Sequence, residues 1–286
     1  MTRYGYIGLG QMGSAMVQRL IGTGAEVHVF DLDPETVQAA AVLGAHACDS
    51  VTELAAICDI VSICVPAAPH VHAVVGDIGL AARFGQTILV HSTVAPETMR
   101  DAARAGADWG GSVHDACVAG GVSAAKAGEL VILAGGLGSM APVAADLLRI
   151  YGSLVIDGGP VGGGAALKLG FNLMTYAQFG AAAAAFNVAE SGGADPTALI
   201  GAWRHVGQLG KLTENFLGML TIPADKIVGS FKTMIETNIA IARKDLELAS
   251  DAVTEGSTRQ AMVVALGMAM PEVFGLPEQA NRMDPT

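Results

Sequence analysis

Arg3-Tyr4-Gly5-Tyr6-Ile7-Gly8-Leu9-Gly10-Gln11-Met12-Gly13 decides the fold. Apolar alternation through Ile7 reads as a strand, and a helical pattern runs on through Leu20. The G-x-G-x-x-G between them gives each glycine a task. Gly8 permits the tight turn, Gly10 lets the backbone approach a pyrophosphate, and Gly13 lets the helix pack on the strand. A second strand, Glu26 to Phe30, ends in Asp31, which stands 21 residues after Gly10. An acidic residue near that spacing accepts hydrogen bonds from the adenosine ribose hydroxyls, and its charge repels a 2'-phosphate. Leu32 follows where an NADP site would offer Arg, so NAD is the expected cofactor and NADP the less favoured one. A turn or a helix cap ahead of Pro34 also accounts for Asp31 and Asp33.

Outward from this unit the alternation continues. Helices are expected at 34–43 and 51–57, with a short strand near 45–47. Ile60 to Val65 is a continuous apolar run of β-branched type, as a parallel strand covered on both faces should be. It stops at Pro66, and the loop Val65 to Pro69 lies at the carboxyl edge where open α/β sheets bind ligands, which makes Val65 and Pro66 candidate cofactor contacts. Thr87 to Val90 repeats the pattern and ends in His91-Ser92-Thr93-Val94. A hydroxyl there, Thr93 above all, can meet the nicotinamide end of a cofactor or cap the helix that begins near Pro96.

From Gly110 the character changes. Val113 to Gly121 reads as a strand followed by a Gly-Gly turn, with a helix at 122–127 whose exposed N–H groups suit a carboxylate. A strand at 131–134, a helix at 140–150 and a strand at 154–156 lead to the glycine-rich hinge 158–164. Strong helix formers then run without proline from Ala165 to Ser191, a helix roughly 40 Å long. It is apolar almost all round, the pattern of a helix covered on several sides. Lys168 and Asn172 stand out on it, four apart and therefore on one face. A buried lysine is a common acid/base or nucleophile. From the helix alone, a helix-end lysine that snorkels to water, with an asparagine bonded to nearby backbone, is the favoured reading. Beyond Gly193 only helical periodicity remains, at 196–206, 211–220, 232–255 and 258–270, and the polar end Asn281 to Thr286 reads as frayed.

Composition narrows the classes. The 286 residues suffice for one large or two medium domains. With 51% hydrophobic and only 15% charged residues, much surface is expected to be covered by a second copy of the chain, as a homodimer or homotetramer. A net charge of -11 argues against nucleic acid as the ligand. The apolar stretches break before about 18 residues and no leader-like segment opens the chain, so a cytoplasmic protein without a membrane partner is expected. Cys48, Cys58, Cys64 and Cys117 have no metal-ligand spacing, and reduced core thiols are expected with no metal site.

With these blocks placed, the chain resembles the β-hydroxyacid dehydrogenase family, which includes 3-hydroxyisobutyrate dehydrogenase and tartronate semialdehyde reductase, essentially end to end. Residues 7–13 with Met16 and Leu20 look like its cofactor signature and Asp115 to Gly121 like its substrate block. Gly159 to Asn172 look like its catalytic block, and Lys244-Asp245-Leu246-Glu247-Leu248-Ala249 like its late cofactor block. The resemblance implies a Rossmann-type α/β domain over 1–161, an all-α substrate and dimerisation domain over 162–286, and a long helix joining them. It implies Lys168 as catalytic acid/base with Asn172 as its partner, and Gly120 and Gly121 as substrate-carboxylate contacts. Lys244 becomes a cofactor contact, beside Gly8, Leu9, Gly10, Gln11, Met12, Gly13 and Asp31. The expected reaction is hydride transfer between NAD and a β-hydroxy acid. Three departures bear on the substrate. Ala119 stands where the family usually carries Ser or Thr, leaving Ser123 as a candidate substitute hydroxyl, Cys117 stands where Pro is common, and His91 stands where Asp is common. A bulkier or less conventional substrate follows from them. Imine reduction on the same plan, or dinucleotide binding without turnover, are the alternative readings.

Overall fold

The computed structural model describes residues 2–223 and 226–276. The polar end 281–286, expected to fray, lies outside the described residues. The chain divides into two compact units, Met1–Lys168 and Leu169–Thr286.

The first unit alternates strand and helix: β1 (Arg3–Ile7), α1 (Gln11–Ile21), β2 (Glu26–Phe30), α2 (Pro34–Val42), β3 (His46–Ala47), α3 (Val51–Ile57), β4 (Ile60–Ile63), α4 (Ala68–Gly79), β5 (Thr87–Val90), α5 (Pro96–Asp108), β6 (Ser112–Ala119), α6 (Gly121–Ala127), β7 (Leu130–Ala134), α7 (Pro142–Tyr151) and β8 (Gly152–Asp157). The start of α8 (Gly163–Ser191) completes it. The strands form one sheet in the order β3-β2-β1-β4-β5-β6-β7-β8. Neighbours are parallel through β6, and the order reverses between β1 and β4, the switch point at which such sheets bind ligands. The register Tyr4 to Ile60 and Ile7 to Ile63 sets β1 and β4 side by side, so their carboxyl ends open together.

Two features depart from the sequence reading. β7 runs antiparallel to β6, whereas a parallel domain was expected. Only residues 120–129 connect the two strands, fewer than the dozen or more that a parallel crossover needs, so the chain returns as a wide hairpin. α4 begins inside the expected loop 65–69, with Pro69 in its first turn, where a missing N–H costs nothing. Its Val71, Val75 and Ile78 are buried at helical spacing, but β-branched residues and two glycines mask the signal.

The core explains why the alternation folds this way. Tyr6, Met16, Leu20, Val27, Val29, Ile132 and Leu147 form one cluster in which α1, α2, α6 and α7 cover a single face of the sheet. Each such side chain contributes roughly 1.5–3 kcal/mol through burial. Helix starts are set locally: Asp33 caps α2 and Ser50 caps α3 through the Glu53 N–H.

The second unit holds the rest of α8 with α9 (Ala198–Val206), α10 (Lys211–Leu220), α11 (Gly229–Asp251) and α12 (Thr258–Val273). Phe216, Ile235, Ile239, Leu246, Val263, Met270 and Phe274 make its core, with Phe179 stacked on Phe216 at 4.0 Å between ring centroids. In the single chain much apolar surface stays open. α9 buries no residue, and Met174, Val188, Met262 and Met268 are exposed. α8, expected to be covered on several sides, keeps Met174 and Val188 open in the single chain.

Candidate active site

The carboxyl edge of the sheet gathers the nucleotide-type elements. Gly8, at φ 93°, has no room for a side chain, since a Cβ would meet the Cys64 carbonyl oxygen at 2.3 Å. Gly13 is as tight: a Cβ there would stand 1.9 Å from the Gly8 carbonyl oxygen. Gly10 differs, because a Cβ would meet nothing within 4 Å. Gly8 and Gly13 close strand, turn and helix together, while Gly10 keeps an open approach to the α1 N-terminus, which no side chain caps. Free N–H groups at that end suit a pyrophosphate, so these residues fit a dinucleotide. Gly10→Ala should therefore leave the melting temperature within about 2 °C and weaken cofactor binding at least tenfold. Gly13→Ala should prevent folding. Thermal unfolding and a cofactor titration check both, and equal effects of the two would refute the division.

Asp31 does two things in the free chain. Its Oδ2 accepts the Leu9 N–H at 2.5 Å and its Oδ1 the Asp33 N–H at 2.9 Å, so it ties the glycine loop to the end of β2. The capping of α2 falls to Asp33. Leu32 beside it is 89% exposed. At the next strands, the Val65 N–H donates to Ser92 Oγ at 2.9 Å, which fastens the loop after β4 to the end of β5. α5 begins after Ala95, whose side chain makes no cap.

His91 is buried below this edge. Its Nδ1 donates to the Ala116 carbonyl at 2.8 Å, and its Nε2 then accepts from Ser62 Oγ at 3.1 Å. Its ring stacks on Tyr6. Burial lowers its pKa from 6.5 to about 4. The unfolded chain takes up that proton near pH 6.5 and the folded chain only near 4. Stability is therefore full above about 6.5 and falls with pH toward about 4, by roughly 3 kcal/mol in all. Burial lowers His114 too, with the same sign. Urea unfolding at pH 7 and pH 4.5 should show a smaller loss for His91→Gln than for the native chain. Equal losses would contradict the assignment.

On β6, Ala119 is buried and offers no hydroxyl. Gly120 and Gly121 both take positive φ, 132° and 79°, which turns the chain sharply into the seven-residue α6, where Ser123 is exposed. Asp115, four residues earlier, is fully buried and accepts from the Gly162 and Ala165 N–H groups. On α8, Lys168 and Asn172 are 9% and 8% exposed. Asn172 Nδ2 donates to Asp245 Oδ2 at 2.6 Å, Tyr176 OH donates to the same oxygen at 3.3 Å, and Lys244 Nζ stands 3.1 Å from Asp245 Oδ1. Burial and the Asp245 charge raise the Tyr176 pKa, so it remains a donor. Asp245 is thus a 2%-exposed carboxylate that joins three of the polar groups around it. The sequence reading passed over it as a partner. The signal was there: Ala242, Asp245, Leu246 and Ala249 share the buried stripe of α11, and a charge on such a stripe needs partners.

Burial pushes Cys58 up to about 12 and Cys48 and Cys64 to about 11, and the four cysteines form no disulfide. Among the described residues no group of three or more His, Cys, Asp or Glu is placed to hold a metal, and no helix is long and apolar enough to cross a membrane.

Comparison with known proteins adds names to this geometry. Residues 3–159 match the family model of the NAD binding domain of 6-phosphogluconate dehydrogenase. The chain is 35% identical to 3-hydroxyisobutyrate dehydrogenase of Pseudomonas aeruginosa over 202 residues, 70% of this chain and 68% of that protein. It is 34% identical over 254 residues to an uncharacterised oxidoreductase of Mycobacterium tuberculosis, 86% of this chain and 84% of the relative. Among solved structures, the 3-hydroxyisobutyrate dehydrogenase of Mycobacterium tuberculosis with L-serine superposes with a TM-score of 0.81 at 26% identity, covering 95% of this chain and 94% of that one.

Proposed function

The chain belongs to the β-hydroxyacid dehydrogenase family, with the NAD-binding domain of 6-phosphogluconate dehydrogenase at its amino-terminal side, and from that premise we propose that Lys168 is the acid/base of its reaction. It is an oxidoreductase that moves a hydride between an NAD(P) cofactor and a hydroxy acid. The observation that carries the assignment is a lysine 9% exposed, one helical turn before an asparagine whose amide is held by a buried carboxylate.

When bound, the nicotinamide supplies the hydride chemistry. The protein positions the substrate and moves the proton. In oxidation the neutral Lys168 amine takes the hydroxyl proton, and in reduction its ammonium returns one to the carbonyl oxygen. Because Asn172 presents its NH2 to Asp245, its carbonyl oxygen is left to accept from the substrate hydroxyl or from Lys168. Backbone N–H groups at Gly120 and Gly121 receive the substrate carboxylate, and Lys244 meets the cofactor. Ala119 removes a hydroxyl from that carboxylate site, which points to a substrate bulkier or less conventional than a three-carbon hydroxy acid, with Ser123 as the substitute donor.

NAD is the proposed cofactor over NADP. Asp31 would oppose a 2'-phosphate, and exposed Leu32 gives such a group no cation. We place the functional boundary at 161/162, between a cofactor domain that also carries Gly120 and Gly121 and a helical domain that carries Lys168, Asn172, Lys244 and the dimer contacts. The open apolar side chains of α8, α9 and α12 support a homodimer or homotetramer formed through the helical part. Light scattering at micromolar concentration tests this, and a monomer would refute it.

The deciding assay follows NAD+ and NADP+ reduction with 3-hydroxyisobutyrate, L-serine, L-threonate and aromatic β-hydroxy acids. Turnover with NAD+ at least tenfold above NADP+ is expected. Reduction of cyclic imines without any hydroxy-acid oxidation would overturn the reading, as would cofactor binding with no turnover at all.

A further inference from the structure

The first turn of α8 cannot cap itself. Gly162, Gly163 and Gly164 carry no side chain, and the first helical backbone bond runs from the Ala166 N–H to the Gly162 carbonyl at 3.0 Å. The N–H groups ahead of it need acceptors from elsewhere. Gly163 finds the Pro160 carbonyl at 2.8 Å. Two more go to one side chain: Asp115 Oδ1 accepts from Gly162 at 2.9 Å, and Oδ2 accepts from Ala165 at 2.8 Å. With both oxygens engaged, the plane of the carboxylate fixes the rotation of the helix start as well as its position. A buried anion also suits the positive end of a helix.

The surroundings are shaped to this contact. A Cβ at Gly135 would stand 2.1 Å from Asp115 Oδ1, and one at Gly164 would meet the Leu133 carbonyl oxygen at 2.3 Å. The start of α8 is therefore wedged between β6 and the end of β7. Asp115 lies four residues before Ala119 on one element, and Ala165 lies three before Lys168 on the other. One carboxylate thus joins the segment assigned to the substrate carboxylate and the turn that carries the assigned acid/base.

We propose that Asp115 is a positioning residue for hydride transfer: through Gly162 and Ala165 it sets where Lys168 leaves the helix relative to Ala119–Gly121. The inference rests on Lys168 as acid/base. A displacement of about 1 Å at a reacting group costs on the order of a hundredfold in rate, whereas substrate and cofactor contacts elsewhere survive it.

The test uses the 286-residue chain, Asp115→Asn and Lys168→Ala, with the hydroxy acid that the native enzyme turns over best among 3-hydroxyisobutyrate, L-serine and L-threonate. Asparagine offers one acceptor to two donors, so one of the two N–H bonds is lost. For folded Asp115→Asn, kcat should fall about ten- to a hundredfold, with the KM for NAD+ within about threefold of native. A separate readout needs no turnover: acetylation of Lys168 by trace acetic anhydride, followed by mass spectrometry, should quicken about fivefold or more while exposed Lys126 is unchanged. A kcat per folded enzyme within threefold of native, or unchanged Lys168 labelling, overturns the proposal. If Lys168→Ala keeps native turnover, the acid/base assignment fails and positioning for catalysis falls with it. Faster labelling in Asp115→Asn then still records the hold on the helix, so the two failures are told apart. Should Asp115→Asn not fold, amide hydrogen exchange on the native chain decides. Exchange at Gly162 and Ala165 as slow as in the β6 core supports the clamp, and exchange near free-peptide rates overturns it.

Discussion

Lys168→Ala should lower the rate of hydroxy-acid oxidation by about 10²- to 10⁴-fold, the range that a single general acid/base contributes. The cofactor should still bind within about threefold of its native affinity, because the glycine loop and Asp31 form their own contacts in the residues before α8. Lys168→Arg should not restore turnover. Its guanidinium keeps the charge but cannot give up a proton near neutrality, so it cannot take one from the substrate. Stopped-flow absorbance of NADH with both variants is the measurement. A loss smaller than tenfold in Lys168→Ala would remove Lys168 from the chemistry and leave it as a buried structural lysine.

Asp245→Ala should be the most destabilising single change in the helical unit, by about 3 kcal/mol or more. Removing the carboxylate strands the Asn172 amide and the Tyr176 hydroxyl in a buried setting, and unpaired buried groups cost far more than the bonds they made. Lys244, 31% exposed at its side chain, can turn to water and pays less. Turnover should fall as well, since Asn172 loses the partner that fixes which way its amide faces. Asp245→Asn keeps one oxygen for both Asn172 and Tyr176 but turns its NH2 toward the Lys244 ammonium, and should recover most but not all of the stability. Urea denaturation reads the effect. A change below 1 kcal/mol for Asp245→Ala would mean that the three partners hold themselves in place.

The cofactor half of this protein was legible because its rules are local. A strand, three glycines at fixed offsets and a helix start are written within residues 3–20, and the acid at Asp31 follows at a spacing that the fold imposes. Helix ends were read to within a few residues where a proline or a polar cap marks them, as at α2 and α3. The reversed β7 was not read, because its direction follows from the length of a connection rather than from any residue pattern. Lys168 and Asn172 drew notice as polar groups on an apolar helix. Asp115 and Asp245 did not, although each is more deeply buried than either. Their partners lie 47 and 73 residues away, and sequence shows a lone charge without showing what it meets.

The loops at the carboxyl edge of the sheet carry a kinetic consequence. Leu9 is tied to Asp31, Asp33 to the same carboxylate, and Val65 to Ser92, so the segments that would surround a dinucleotide are cross-linked to one another before one arrives. A site held in this way spends little binding free energy on ordering itself. Cofactor association should then follow a single exponential whose rate rises linearly with concentration, limited by encounter and not by rearrangement. Ser92→Ala, which frees the Val65 loop, should introduce a concentration-independent phase while leaving the glycine loop as it is.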